Sequence, residues 1–304
     1  MVNSNGKMKK AMRYKKRREK FRAVLAGDRC VFPGSVFDPI SARIAEDIGF
    51  EIGMFAGSVA SHTVLGAPDL IVLTLSEFAQ QAQRINRASS IPLMVDADHG
   101  YGNALNVRRT VEELEMSGVS GLSIEDTELP QTFEARGKTN LLSIEEGIGK
   151  MKAALSGRQD PDLVIAGRTS APAVTGIADA IDRALGYEAT GVDAIFLVGI
   201  KTRDELDAVA EKISLPIILG SAKGDVLDAD YLSSRNVRIC LKGHQPFAAA
   251  VQAVYATLKA IREGVPVEEL NGIASPDLMK KVTRADEYDV MVQEFLEKTK
   301  SPSI

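Results

Sequence analysis

Apolar positions along the chain follow two alternating rhythms. Short runs rich in β-branched residues end in Gly, Asp or Ser: RCVFPGSV (29–36), EIGMFAG (51–57), PLMVDAD (92–98), GLSIED (121–126), LVIAGRT (163–169), AIFLVG (194–199), PIILGS (216–221) and VRICLKG (237–243). Between them apolar residues recur three or four apart, as at Ile40, Ile44 and Ile48 or Val107, Val111 and Leu114. That spacing predicts one buried helical face. Asn103 and Ser143 stand where helix caps belong, and Glu146 three residues after Ser143 completes a capping-box pattern. Strands that are apolar throughout and linked by helices are the mark of a parallel sheet covered on both faces. Eight such units predict an α/β fold of the closed (β/α)8 TIM-barrel type. The competing open, doubly wound sheet is disfavoured because no GxGxxG follows a strand and opens a helix.

The predicted barrel spans residues 27–264, preceded by a basic extension (1–26) and followed by a helical tail (265–304). In the tail, prolines and polar breaks punctuate helical patches that a barrel does not need. Such a tail is expected to pack on the outside of the barrel or on a neighbouring subunit. At 304 residues, 45% hydrophobic and 26% charged, the chain can bury a sizeable core. It contains no apolar run of the ~18 residues that span a bilayer, and its N-terminus lacks the apolar core of a signal peptide. The expectations are a cytoplasmic setting and no membrane partner. Cys30 and Cys240 are too few for a disulfide framework and fit no zinc spacing, so both are read as reduced core thiols.

The net charge of −4 conceals an asymmetry. Residues 1–25 hold ten Lys or Arg against one Glu, leaving 27 basic and 40 acidic side chains elsewhere. A partly helical extension docking on its own acidic body is the expectation, with no nucleic-acid partner; a basic arm that binds an acidic partner or RNA is the non-enzymatic alternative. The enzymatic reading expects activity to survive removal of residues 1–25.

In a closed barrel the active site forms at the C-terminal strand ends. Asp96 and Asp98 end the third strand, Glu125 and Asp126 the fourth, and Arg168 the fifth. Two carboxylates about 4 Å apart repel by roughly 1 to 4 kcal/mol, depending on the local dielectric, so such a cluster calls for a cation. Hard oxygen ligands favour Mg2+ or Mn2+, with one or two direct carboxylates and others bound through water. Taken singly, each of these residues could instead cap a helix or pair with Arg168 or a lysine. The three histidines, His62, His99 and His244, all follow strand ends. Closure of the barrel sets His244 beside the first strand, where it suits a substrate contact, while His99 is expected to orient the carboxylates. Ser58, in AGSVASHTVLGAPD after the second strand, suits a carboxylate or oxyanion cradle. Two further readings carry less. Lys201 could form a Schiff base but would leave the acidic cluster idle. The glycines of ILGSAKGD and LKGH could bind phosphate, with only Lys223 and Lys242 in support.

Taken together, SVFDPISARIAEDIGFE, AGSVAS, DADHGYGN, SIEDT, GRTSA and GIGKMKAAL resemble the isocitrate lyase/phosphoenolpyruvate mutase superfamily, most closely its bacterial oxaloacetate decarboxylase branch. The likeness runs from about Ser35 to Leu296. The resemblance implies a Mg2+-dependent barrel (Mn2+ possible) that passes a small α-keto dicarboxylate through a metal-stabilised enolate, and a homo-oligomer, dimer or tetramer, that exchanges a C-terminal helix. It implies Asp96 as the direct metal ligand, with Asp69, Asp98 and Glu125 holding the metal's waters. Ser58 would contact the substrate carboxylate, Arg168 would stabilise the enolate oxygen, and His244 would mark the decarboxylase branch. The implied reaction is decarboxylation of oxaloacetate to pyruvate and CO2. PQTFEARGKTN (130–140) lacks the cysteine of the lyase branch, which disfavours cleavage of the isocitrate type. LGSAKGD and GRTSAPA also depart from the branch pattern and leave the substrate open. The alternatives are a phosphonopyruvate hydrolase or phosphoenolpyruvate mutase, and a lyase of a substituted malate.

Overall fold

All eight predicted strands form in the computed structural model, as β1 (Gly34–Ser35), β2 (Gly53–Phe55), β3 (Leu93–Asp96), β4 (Gly121–Glu125), β5 (Val164–Thr169), β6 (Ala194–Val198), β7 (Ile217–Gly220) and β8 (Val237–Leu241). The structure describes residues 4–131, 133 and 137–297, without the side chains of 4–13. Part of the 130–140 stretch and the last residues of the tail therefore lie outside the described residues. The strands pair in parallel, in sequence order, in one sheet. Val31 closes the circle on Ile239 of β8: its N–H donates to the Arg238 carbonyl at 2.9 Å, and its carbonyl accepts from Cys240 N at 3.0 Å. The chain divides into two compact units, Met1–Phe247 and Ala248–Ile304.

Strand periodicity sorts the core into two layers. Leu93 and Val95, Ile165, Ile195 and Leu197, and Ile217 and Leu219 face outward into one apolar cluster with helix residues such as Phe78, Val111, Leu114 and Met151. Their neighbours Met54, Met94, Val164, Ala166, Ala194, Phe196, Ile218 and Ile239 belong to a second cluster inside the barrel. The helices start as the sequence leads one to expect. Asn103 accepts from Leu105 N at 3.0 Å. Ser143 accepts from Glu146 N at 3.1 Å, which is half of the expected box. Cys30 and Cys240 are buried and unbridged, and burial pushes the Cys30 thiol up to about 12.

The basic extension is an integral part of the barrel. Ser4–Leu25 is one helix, and Phe21, fully buried, joins the cluster inside the barrel. A Cβ on Gly121 would meet the Phe21 ring at 2.8 Å, so glycine at the start of β4 makes room for it. Three of the ten basic residues clamp the barrel from below. Arg17 donates to the Asn86 carbonyl at 2.8 Å and also to that of Ser89. Arg18 donates to the carbonyls of Val119 (3.0 Å) and Glu115 (2.9 Å) and pairs with Asp160 at 2.6 Å. Arg22 reaches the Asp162 carbonyl and Asp193, each at 3.0 Å. Docking on the body is thus observed, and removal of residues 1–25 would uncover the barrel interior and leave those carbonyls without donors.

Phe21→Ala is therefore expected to destabilise the protein by about 3 to 5 kcal/mol, the usual range for emptying a buried aromatic site. The change would be read as a lower thermal unfolding midpoint, and a midpoint equal to wild type would refute the plug.

Candidate active site

Alternation along three neighbouring strands decides which charges enter the mouth. β3 turns Met94 and then Asp96 inward, β4 turns Ser123 and then Glu125, and β5 turns Ala166 and then Arg168. In register, Asp96 lies beside Ser123, and Glu125 beside Arg168. Asp96, Glu125 and Arg168 line a cavity of ≈ 550 Å³ together with Ser58, Asp69, Asp98 and His244. The seven residues that the family resemblance assigned to the site thus line one cavity.

Arg168 is the electrostatic hub. One guanidinium nitrogen contacts Asp96 and the other lies 3.1 Å from Glu125, while its carbon sits 5.4 Å from the Phe196 ring centroid. Burial opposes its charge, but Asp96, Glu125 and Asp98 outweigh burial and raise its pKa. Asp96 also accepts from Ser123 Oγ at 3.1 Å and from Asp98 N at 3.3 Å. Desolvation, then the charges of Asp96 and Glu125, push Asp98 well above the usual carboxylate range. Desolvation likewise raises Glu125, against the pull of Arg168, and raises Asp69 with help from Asp96. The Asp98 carboxylate rests on Gly57, where a Cβ would approach Oδ1 to 2.6 Å.

Four carboxylates facing one guanidinium leave excess negative charge, and all the donors are hard oxygens, so the residues present fit a divalent cation of the Mg2+ or Mn2+ class. Among the described residues, no three His, Cys, Asp or Glu side chains stand together as a ready-made metal cage.

His244 presents Nδ1 to Ser35 Oγ at 2.8 Å across the closed seam, and desolvation lowers its pKa. His62 stacks on Phe247 with ring centroids 5.5 Å apart and does not line the cavity. His99 corrects the expectation placed on it. Its ring makes no hydrogen bond to Asp96, Asp98 or Glu125 among the described residues, and Nδ1 is buried without a partner. Desolvation, with Lys150 nearby, lowers the His99 pKa to about 4. Asp126 is a second correction, since alternation turns it away from the mouth. It is buried behind β4, where it accepts from Arg183 at 2.9 Å and from the Tyr187 hydroxyl at 2.6 Å. Lys201 is exposed, and neither Lys223 nor Lys242 lines the cavity; Lys242 lies over the Phe32 ring at 3.8 Å.

Sequence reasoning missed Ser35, Lys150, and the Leu129, Pro130 and Gln131 wall of the cavity. For Ser35 a signal existed, because the closure that brings His244 to the first strand also brings it to that strand's serine. Lys150 carried none: its ammonium donates to the backbone carbonyl of His99 at 2.8 Å, a partner that sequence does not display.

Comparison with known proteins identifies the family. A family model described as phosphoenolpyruvate phosphomutase matches residues 21–262. The chain is 59% identical over 276 residues to an oxaloacetate decarboxylase of Bradyrhizobium diazoefficiens, covering 91% of this chain and 96% of that one. It is 57% identical to an oxaloacetate decarboxylase of Rhodopseudomonas palustris, over 90% and 95% of the two chains. Among solved structures, a phosphonopyruvate hydrolase complexed with oxalate and Mg2+ superposes with a TM-score of 0.82 at 28% identity, over 92% of this chain and 99% of the other. A 2,3-dimethylmalate lyase superposes at 0.79 and 26% identity, over 93% and 98%. The match begins within the helix that plugs the barrel and ends past its last strand, and the chain belongs to the phosphoenolpyruvate mutase/isocitrate lyase superfamily.

Proposed function

We propose that the protein is a lyase, a carboxy-lyase that converts oxaloacetate to pyruvate and CO2 with a bound divalent cation, Mg2+ by preference. The observation that carries this reading is the convergence of Ser58, Arg168, His244 and four carboxylates in one cavity, in a chain 59% identical to an oxaloacetate decarboxylase. Asp96 would hold the cation directly, and Asp69, Asp98 and Glu125 would hold it through water. When bound, the cation supplies a Lewis acid that withdraws electron density from the keto group, worth several kcal/mol of charge stabilisation.

The chain's own residues would do the rest. Ser58 receives the carboxylate next to the keto carbon. Arg168, kept charged by Asp96 and Glu125, faces the keto oxygen as negative charge grows there. His244 is oriented through Nδ1 by Ser35, which leaves Nε2 for the substrate. As the bond between C3 and C4 breaks, its electron pair moves toward the keto oxygen and CO2 departs; the pair then returns to C3, which takes a proton from solvent water and leaves hydroxide to the bulk. Leu129, Pro130 and Leu70 at the rim limit the access of water.

The proposed setting is the cytoplasm; among the described residues no helix is long and apolar enough to cross a membrane. The proposed assembly is a homo-oligomer that exchanges its C-terminal helices. In support, the second unit exposes Val254, Leu258, Val290 and Phe295. Against a basic arm that captures an acidic partner, Arg17, Arg18 and Arg22 are already engaged by the barrel.

Purified protein with Mg2+ should form pyruvate from oxaloacetate faster than Mg2+ alone, and EDTA should abolish the excess. No excess in a coupled assay would retire the decarboxylase and direct attention to phosphonopyruvate and substituted malates on the same site. Asp96→Ala should lower the metal-dependent rate on the order of a thousandfold, about 4 kcal/mol, with the fold retained because Arg168 keeps Glu125. A variant with wild-type activity and metal affinity would remove Asp96 from the ligand set. His244→Gln should lose roughly a hundredfold in kcat while its Mg2+ affinity stays near wild type, the signature of a group that acts on substrate. Unchanged turnover in that variant would take His244 out of the reaction.

A further inference from the structure

Lys150 has no part in the proposed mechanism, yet its surroundings are unusual for a lysine. It projects from the helix Ile144–Gly157 and is only 3% exposed. Among the described residues no carboxylate lies within ion-pair distance of it, and its ammonium donates to the His99 carbonyl at 2.8 Å. A buried charge persists only where its interactions compensate for lost hydration.

The carbonyl it holds belongs to a strained turn. Asp98 (φ 48°), Gly100 (φ 77°), Tyr101 (φ 61°) and Gly102 (φ 145°) all lie at positive φ. Glycine takes that conformation freely and aspartate at small cost, whereas a bulky residue such as Tyr101 has to be held there by its surroundings. Three successive carbonyls are each held by a separate donor: Asp98 O by Glu125 N at 2.9 Å, His99 O by Lys150, and Gly100 O by Thr110 Oγ1 at 2.9 Å. The Lys150 bond is the charge-assisted one and hence the strongest of the three. It acts one residue from Asp98, whose carboxylate faces the cavity. The Asp98 hydrogen bond to Glu125 fixes one side of that residue, and Lys150 fixes the other.

We infer that Lys150 is a positioning residue for Asp98: its bond to the His99 carbonyl holds the turn in the conformation that presents Asp98 to the cavity. This rests on the proposed metal site, because the consequence of a misplaced Asp98 is a weaker grip on the cation's waters.

The test measures Mg2+ binding by calorimetry, without substrate, for wild type, Lys150→Met and Lys150→Arg, and the Mg2+-induced shift of the unfolding midpoint for each. Lys150→Met should raise the Mg2+ dissociation constant about tenfold, the usual scale for losing a group that supports a metal's ligands. Its Mg2+-induced midpoint shift should shrink accordingly. Lys150→Arg keeps a charged donor and should recover most of the affinity. An unchanged or tighter dissociation constant in Lys150→Met overturns the inference. So does a midpoint lowered equally with and without Mg2+, the pattern of a purely structural residue. If Lys150→Met does not fold, Lys150→Gln, which retains an N–H but no charge, is measured in its place against the same criteria. Absence of Mg2+ binding by the wild type would instead overturn the metal site, and this inference with it.

Discussion

Three adjacent strands end in inward-facing charges, and the barrel tolerates this because the Arg168 guanidinium lies between Asp96 and Glu125. Inside a desolvated mouth, like charges repel far more strongly than in water, so carboxylates at this spacing need a fixed cation before any ligand arrives. The guanidinium supplies it in a rigid planar form that can meet two carboxylates at once. It leaves the charge only partly balanced. Burial, joined by neighbouring carboxylates, raises the pKa values of Asp98 and Asp69, and burial raises that of Glu125 against the pull of Arg168; the proposed cation would offset the negative charge that remains. The ion pair and the proposed metal site are therefore two consequences of one arrangement. Burying a pair such as this adds little to stability in itself, since desolvation offsets much of the attraction. Its presence at the strand ends is better explained by chemistry than by folding.

The opposite end of the barrel shows the same guanidinium chemistry put to a structural purpose. Arg17, Arg18 and Arg22 satisfy backbone carbonyls at the ends of helices and strands, and Phe21 fills the interior from below. A barrel has two open ends, and this one seals the end that performs no chemistry with its own N-terminal helix. The charge asymmetry between the first 25 residues and the rest is thus partly an internal complementarity, with Asp160 and Asp193 among the acidic partners.

Much of this was legible in the sequence for a simple reason. Strand periodicity and barrel handedness are local rules, so eight apolar runs sufficed to locate eight strands, and the polar residues at their ends sufficed to locate the mouth. The failures came where a one-residue phase or a backbone partner decided the outcome. Glu125 and Asp126 are consecutive carboxylates, yet the period of two sends the first into the cavity and the second to Arg183 and Tyr187. His99 stands beside Asp98 in sequence, but the left-handed turn carries its ring away from the carboxylates. Lys150, Arg17 and Arg18 act on carbonyls far away in the chain, and every residue has a carbonyl, so no spacing announces them. Charged residues in amphipathic helices are ordinarily read as solvated, and the three that matter here are buried.

The mouth itself is divided. The charged residues come from β3, β4, β5 and the segments after β2 and β3, whereas β6, β7 and β8 contribute Phe196, Val198, Gly220 and Leu241 to the same cavity. In the proposed reaction, negative charge leaves one end of the substrate as CO2 and accumulates at the keto oxygen near the other. A cavity that is polar on one side and apolar on the other would favour that redistribution if the departing carboxylate lay against the apolar side and the growing oxyanion faced Arg168. On the β8 side the proposed substrate contact is His244, with Ser221 the other polar side chain lining that half of the cavity. Among the described residues His244 is the one ionisable side chain lining that half, and its Nδ1 meets Ser35 Oγ across the seam where the barrel closes.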